Sequence, residues 1–161
     1  MPVDPTLFRS VMRRFPTGVT VMTVRDGNLI HGMTANSVTS VSLAPTLVLV
    51  CVINGSTTMG LVKRAHSFAL NILSAAQRGW AERFAKQVPV PADPFADIAF
   101  HSEVTGSPVF DECIAFLDCQ VVAEHLAGDH TIYIGQVVAQ GFGRSVGAAP
   151  LIWLDGKYKS G

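Results

Sequence analysis

Residues 32–45 hold a concentration of short polar side chains that could present the backbone to a ligand. Serine, threonine and asparagine side chains bond to nearby main chain and hold it in turns, which leaves backbone N–H groups free to face a ligand. Fixed donors of this kind suit phosphates and ring edges with several acceptors. An ordinary turn rich in serine and threonine has the same composition, so composition alone leaves both interpretations open.

A second polar group, Ser56, Thr57 and Thr58, stands where a short helix is predicted to begin. Ser56 can cap that helix, which we expect to end at Ala65. Free N–H groups at the start of a helix attract anions. The group is therefore a candidate for phosphate contacts.

Histidine can transfer protons or bind metals, and His130 directly follows a predicted turn at Gly128 and Asp129. Its side chain should be held there and still be reachable. The other histidines lack a second ligand at metal spacing, so we expect structural or surface roles and no metal site. They are His31, His66, His101 and His125. Because neither GxGxxG nor GxxxxGK[ST] occurs, a nicotinamide cofactor would have to bind outside a Rossmann crevice.

Length and composition limit the class of protein. The 161 residues fit one domain over positions 1–161, and a formal net charge of zero argues against a nucleic-acid surface. An apolar fraction of 48% favours a homo-oligomer that buries hydrophobic surface. Cys51, Cys113 and Cys119 form no CxxC pair, and no segment has the pattern of a signal peptide or membrane span. We expect a cytoplasmic protein with reduced thiols and no membrane contact.

Periodicity and turn residues predict many short strands and three helical segments. Asp4 caps a first helix whose apolar face carries Leu7, Val11 and Phe15. A capping box at Ser74 opens a later helix that runs to about residue 84. The predicted strands are residues 19–25, 29–33, 46–53, 68–73, 114–126, 131–142 and 151–154. Short strands joined by tight turns favour a closed antiparallel barrel over a parallel sheet.

Two predicted segments differ from the rest in composition. Residues 46–53 are apolar throughout, which predicts a central strand buried on both faces. Pro89, Pro91 and Pro94 exclude regular structure, and we expect a mobile loop there that acts as a lid or an arm facing a second subunit.

Four pieces of the sequence, in this order, resemble the short-chain flavin reductase family of FMN-binding split-barrel proteins. The pieces are residues 15–21, residues 32–42, residues 128–130, and residues 150–153 together with 156–158. The resemblance extends from about Leu7 to Tyr158 and implies an antiparallel split β-barrel with a few short peripheral helices. Ala44 departs from the family pattern, since many relatives carry a second proline there.

The resemblance implies hydride transfer from NADH or NADPH to FMN or FAD, with reduced flavin passed to a partner flavin-dependent oxygenase. Family members are typically homodimers. Two alternatives stay open on the residues alone. One is a flavin-binding electron carrier on the same barrel that does not oxidise NAD(P)H, and the other is a dimeric interaction domain without a pocket.

The resemblance also suggests residue roles: His130, the candidate catalytic residue, beside the nicotinamide, Tyr158 near both rings, and residues 34–37 along the flavin ring. Ser40, Val41 and Ser42 would follow the ribityl chain and the phosphate. For Cys51, Ile53 and Phe84, packing in the core is an equal alternative to contact with the cofactor. For Arg83, the alternative is a role at the surface or at a subunit interface. The full set of expected cofactor-binding positions is Thr34, Ala35, Asn36, Ser37, Ser40, Val41, Ser42, Cys51, Ile53, Ser56, Thr57, Thr58, Arg83, Phe84, Ala85, Asp129, His130 and Tyr158.

Overall fold

Antiparallel strands and three short helices make up the computed structural model, which describes residues 1–161. The helices are α1 (Pro5–Met12), α2 (Thr57–Ala65) and α3 (Arg78–Phe84), and a 3-10 turn at Ala75–Gln77 leads into α3. The strands are β1 (Thr17–Gly18), β2 (Thr20–Asp26), β3 (Leu29–Ala35), β4 (Val38–Leu43), β5 (Thr46–Ile53), β6 (Ser67–Ile72), β7 (Phe100–Ser102), β8 (Pro108–Phe110), β9 (Ala115–Ala127), β10 (His130–Phe142), β11 (Leu151–Leu154) and β12 (Lys157–Ser160). None of the helices is long and apolar enough to cross a membrane.

Seven strands form one sheet in the order β3-β2-β6-β9-β10-β5-β4. Its longest pair, β9 and β10, is a hairpin that turns at Gly128, where a φ of +65° suits a residue without a side chain. β11 and β12 form a second hairpin that pairs with β1, and β7 pairs with β8. This arrangement confirms the predicted mainly β, antiparallel architecture.

One cluster of buried side chains shows that the seven-stranded sheet is strongly curved. Val24 of β2, Val50 of β5 and Tyr133 of β10 belong to this cluster, together with Leu61 and Val62 of α2. β2 and β5 are separated in the sheet by β6, β9 and β10, so their side chains can meet only if the sheet curls into a barrel. The edge strands β3 and β4 do not pair, so the barrel is split and the expectation of a closed barrel is wrong.

A second apolar cluster covers the outer face of β2 and β6. Val21 of β2 and Ala69 of β6 pack there with Phe84 of α3 and with Phe95 and Phe110. Because successive residues of a strand point to opposite faces, β2 contributes to both clusters and is buried on both sides. This outer layer holds α3 against the barrel.

The end of the proline-rich segment is attached to this outer cluster. Phe95 and Ile98 are only 5% and 4% exposed, and Arg83 binds both the Asp97 carboxylate and the Pro94 carbonyl. The prolines exclude regular structure as predicted. Phe95 and Ile98, which follow Pro94, anchor the end of the segment, whereas residues 86–93 are exposed, so the mobility expected there stays a prediction.

β5 and α1 each keep an apolar face that nothing in the chain covers. Val50 and Val52 of β5 are buried, but Cys51 is half-buried and Ile53 is 51% exposed, so burial of both faces of β5 is a wrong prediction. On α1 the predicted cap is confirmed, because the Asp4 side chain accepts from the Thr6 N–H at 2.9 Å. No residue of α1 is buried.

Candidate active site

The two edges of the split barrel are joined by Asn36 and Ser37. β3 ends at Ala35 and β4 begins at Val38, so these two residues connect strands from opposite edges of the sheet. The Ser37 hydroxyl donates to the Cys51 carbonyl at 3.1 Å, and Asn36 Nδ2 lies 3.2 Å from Thr17 Oγ1. Both side chains are therefore fixed at the split while remaining exposed to solvent.

The predicted polar loop over residues 32–45 is a strand end, this two-residue link, and an edge strand. β4 has only one partner, β5, so its other edge is open and tolerates polar residues. The serines and threonines that suggested a loop are for the most part strand residues. Ala35 is 5% exposed and so can reach a ligand only through its backbone.

A cavity of about 200 Å³ opens beside the link. Its walls come from four separate parts of the chain: the junction of β1 and β2, the end of β3 with the link that follows it, the segment after α3, and the β11–β12 hairpin. The lining residues are Val19, Thr34, Asn36, Ala85, Gln87, Trp153 and Tyr158. Thr34, Asn36, Ala85 and Tyr158 are the predicted cofactor positions that the structure brings together here.

The contact between β3 and α3 positions one wall of the cavity. Thr34 Oγ1 donates to the Ala81 carbonyl at 2.6 Å. At Gly32 the Phe84 ring packs directly on the backbone, because a Cβ added there would lie 2.7 Å from the ring. These two contacts hold Ala85, the residue after α3, next to the end of β3.

Tyr158 and Trp153 form the aromatic wall. Their ring centroids are 4.8 Å apart with an interplanar angle of 64°, and the Arg78 guanidinium lies 5.7 Å from the Tyr158 ring centre. The Tyr158 hydroxyl donates to Gln87 Oε1 at 3.0 Å. Burial, reinforced by the charge of Glu82, raises the pKa of Tyr158 above its usual value. The hydroxyl is therefore protonated, and a donor, at neutral pH.

The two predicted phosphate-binding groups lie at opposite ends of β5. Ser40 pairs with Val48, whereas Ser56 follows Ile53. Val48 and Ile53 are separated by roughly 17 Å, at about 3.3 Å per strand residue. Ser40 and Ser56 of one chain therefore cannot bind the same phosphate.

The side chains of the helix-start group differ in what they can offer a ligand. Ser56 Oγ accepts from the Met59 N–H at 3.2 Å, which confirms the predicted helix cap. Thr57 is exposed, but Thr58 is 3% exposed and its hydroxyl lies 3.0 Å from Nε2 of His31. Burial, with a smaller contribution from Lys86, lowers the pKa of His31. Thr58 thus belongs to an internal contact between α2 and β3.

His130 lies at the Ser56 end of β5, where it pairs with Ile53. Its Nδ1 is 2.7 Å from Asp129 Oδ1, and this hydrogen bond lowers the pKa of Asp129. The imidazole side chain is 42% exposed. His130 and Tyr158, which the resemblance places near the same ring, therefore occupy different parts of the site, and only Tyr158 lines the cavity.

The family model for the flavin reductase like domain matches residues 12–161, almost the whole of this fold. The chain belongs to the flavin reductase family. It is 33% identical, over 97% of its length and 82% of the relative, to HsaB, the reductase subunit of a flavin-dependent monooxygenase of Mycobacterium tuberculosis. It is 40% identical to an NADH-dependent FAD reductase of Streptomyces globisporus, over 85% of this chain and 76% of the relative. The solved structure of the flavin reductase PheA2 is similar with a TM-score of 0.88 and 39% identity, over 98% of both chains.

In this flavin reductase, Arg83 and Phe84 turn away from the cavity. The Arg83 guanidinium binds Asp97 at 2.5 and 3.0 Å, and Phe84 is 7% exposed within the outer cluster. Both side chains hold α3 and the proline-rich segment in place. Ala85, the third member of the predicted segment, is the one that lines the cavity.

The remaining predicted positions lie on β4 and β5, near the split of the barrel. Ser40 and Val41 of β4 are exposed, and the Ser42 hydroxyl accepts from the Ala44 N–H at 3.3 Å. Cys51 and Ile53 are on the uncovered face of β5, so neither alternative offered for them, core packing or the wall of this cavity, describes their place in the single chain.

Three lining residues were not among the predicted positions: Val19, Gln87 and Trp153. Trp153 belongs to the closing motif that carried part of the resemblance, so its position was signalled although its role was not. Gln87 follows Lys86, whose φ of +57° redirects the chain after α3. No local pattern marks a glutamine in that position as a site residue.

Proposed function

We propose that this protein is a flavin reductase that oxidises NADH and supplies reduced FMN or FAD to a partner flavin-dependent oxygenase. The cavity between Asn36, Gln87 and the Trp153–Tyr158 pair carries the proposal. Aromatic side chains offer apolar surface to a planar ring, and amides at its edge can bond the ring's polar atoms. The names of the relatives, an NADH-dependent FAD reductase and a monooxygenase reductase subunit, support the same activity.

The residues of the cavity fit a flavin ring, and a bound flavin would supply the acceptor for a hydride from nicotinamide. The chain's own contribution is to bind and orient the two rings. Thr34 is held by Ala81, and Tyr158 by Gln87, so the walls are fixed before a ligand arrives. Such pre-ordered groups need no rearrangement during the reaction.

Hydride transfer requires no general base, so we assign His130 to positioning the nicotinamide. Asp129 fixes the imidazole through Nδ1, and Nε2 is left for a ligand. Losing one hydrogen bond costs about 0.5–1.5 kcal/mol, so His130→Ala should raise KM for NADH roughly 2- to 12-fold. Flavin affinity should not change. His125→Ala, at an exposed histidine of β9, is the matched control, and equal NADH kinetics in both variants would remove His130 from the site.

The activity itself is tested by mixing the purified protein anaerobically with FMN or FAD and with NADH or NADPH. We expect NADH consumption and bleaching of flavin absorbance that both depend on the protein. The comparison of NADH with NADPH tests our proposal that NADH is the hydride donor. Failure to accelerate either signal with any pair would overturn the proposal. Flavin that binds but is bleached only by an added chemical reductant would identify an electron carrier instead.

We further propose a homodimer formed through exposed apolar residues of β4, β5, β9 and β10. Large exposed apolar patches mark protein–protein surfaces in soluble proteins. The exposed apolar side chains on these strands are Val41, Leu43, Ile53, Val122, Leu126, Val138 and Phe142. Ile53→Lys should give monomers in light scattering, while Val146→Lys, in the exposed loop after β10, should not. A monomeric wild-type protein, or a dimeric Ile53→Lys variant, would contradict this interface.

A cytoplasmic location is also part of the proposal. All three cysteines are free, and two of them are buried within the fold rather than paired. Unpaired thiols are usual in reducing compartments. Detection of the native protein in a secreted or membrane fraction would oppose this assignment.

A further inference from the structure

Two amide side chains line the cavity, and each uses one of its two polar atoms in a hydrogen bond to a neighbour. Asn36 donates from Nδ2 to Thr17 Oγ1 at 3.2 Å, which leaves its Oδ1 as an acceptor. Gln87 accepts through Oε1 from the Tyr158 hydroxyl at 3.0 Å, which leaves its Nε2 as a donor. The same cavity therefore offers one free acceptor and one free donor, from separate segments of the chain.

The backbone at the end of α3 fixes the position of Gln87. Lys86 has a φ of +57°, a left-handed conformation that residues with a side chain rarely adopt. The Gln87 N–H donates to the Glu82 carbonyl at 2.9 Å, which ties this turn to the helix. Tyr158 is held in turn by Trp153 and Arg78. The amide is thus supported from both the backbone and the side chain, although it is exposed to solvent.

We propose that Asn36 and Gln87 together recognise a planar ring that carries an N–H next to a carbonyl, with Gln87 as a specificity-determining residue. The N–H donates to Asn36 Oδ1 and the carbonyl accepts from Gln87 Nε2. The Tyr158 hydroxyl has a positioning role, because it acts on the bound ring through Gln87. This inference rests on the proposed function and names the chemical group that the site recognises.

Two substrates of the proposed reaction present such a group. The pyrimidine part of a flavin has an N–H between two carbonyls, and nicotinamide has a primary carboxamide. Both match one acceptor and one donor in the protein, so binding must be measured for each ring separately. The measurement is made without turnover, so its result does not depend on whether NADH is oxidised.

Gln87→Glu is the decisive variant, because it keeps the acceptor for Tyr158 and replaces the Nε2 donor with an oxygen. Dissociation constants for riboflavin and FMN are measured by quenching of flavin fluorescence, and that for NADH by equilibrium dialysis without flavin. We expect roughly tenfold weaker binding of the recognised ring. Riboflavin and FMN should weaken by the same factor, since they share the ring. Asn28→Asp, at an exposed asparagine in the turn between β2 and β3 and outside the cavity, makes the same amide-to-carboxylate change and is the control for added charge.

Weaker flavin binding alone would identify the flavin ring as the occupant, and weaker NADH binding alone would identify the nicotinamide. Dissociation constants for both ligands within about twofold of the Asn28→Asp control would overturn the inference. N3-methylriboflavin, which lacks the N–H, gives a second test of flavin recognition. If the flavin ring is the occupant, N3-methylriboflavin should bind to the wild type roughly tenfold more weakly than riboflavin does. N3-methylriboflavin and riboflavin should bind about equally well to the Asn36→Ala variant, which lacks the acceptor for the N–H.

Tyr158→Phe tests positioning separately from direct contact. Removing the hydroxyl frees the Gln87 amide to rotate, so binding should weaken about two- to fivefold in the wild-type background. In the Gln87→Met background the same change should have little effect, because the group that Tyr158 positions is absent. Equal losses in the two backgrounds would show that Tyr158 does not act through Gln87.

Discussion

A methyl group at Gly32 should displace the helix that borders the cavity. A Cβ there would lie 2.7 Å from Cδ1 and Cε1 of Phe84, whereas carbon atoms in contact are about 3.5–4.0 Å apart. The Phe84 ring is itself packed against Phe95 and Phe110, with centroids 5.1 and 6.0 Å away. It cannot move without disturbing the outer cluster, so Gly32→Ala should push α3 away from β3.

Overpacking of this kind costs about 1–3 kcal/mol. A loss of about 2 kcal/mol corresponds to a Tm lower by about 4–8 °C for a chain of this size. Gly79→Ala is a matched control in α3, because nothing lies within 4 Å of the added Cβ. Alanine is favoured over glycine in a helix by about 0.5–1 kcal/mol, so this variant should be more stable than the wild type.

Thermal unfolding at one fixed protein concentration measures both changes, since association would otherwise alter the Tm. Flavin affinity should fall in Gly32→Ala, because Ala85 and Gln87 move with α3, and should be unchanged in Gly79→Ala. Phe84→Leu added to Gly32→Ala should cost less than in the wild type, as the smaller side chain relieves the overlap. A Tm for Gly32→Ala within about 1 °C of the wild type would refute the reasoning.

Two further predictions concern ionisable groups. Arg83 lowers the pKa of Asp97, so this pair stabilises the fold above the unfolded-state pKa of about 4 and loses that stabilisation as pH falls through the lower folded-state value. Asp97→Asn should therefore flatten the acid side of a urea-stability profile, and an unchanged profile would contradict this. Burial raises the pKa of Cys113 to about 11 and of Cys119 to about 12. A thiol reagent at about pH 8 should thus leave Cys113 and Cys119 unmodified in the folded protein, and reaction of either before unfolding would disprove it.

Elements with local signals were predictable from the sequence. The Asp26-Gly27 turn joins β2 and β3, with a φ of +60° at Gly27, and Ser56 caps α2. These features depend on residues within three or four positions of each other. Conformational preference and short-range hydrogen bonds decide them, whatever the rest of the chain does.

Burial of whole faces could not be predicted in the same way. β4 has the composition of a loop because an edge strand may carry polar residues, and β5 has the composition of a fully buried strand although its outer face is open. In both strands, exposure depends on which elements lie alongside after folding. An apolar face that packs against another subunit has the same sequence pattern as one that packs against the core of its own chain.

The site shows the same division between local and long-range information. Residues 32–45 indicated the correct region, because β3 and β4 are joined there by only two residues while lying at opposite edges of the sheet. A sheet connected in this way must leave a gap at the join, and Asn36 stands in that gap. The gap becomes a cavity only when Gln87 and the Trp153–Tyr158 pair close it, and these residues come from distant parts of the chain. A short motif could therefore predict that Asn36 lies at a ring-binding site. Gln87, which we propose recognises the ring, is brought to that site only by the fold.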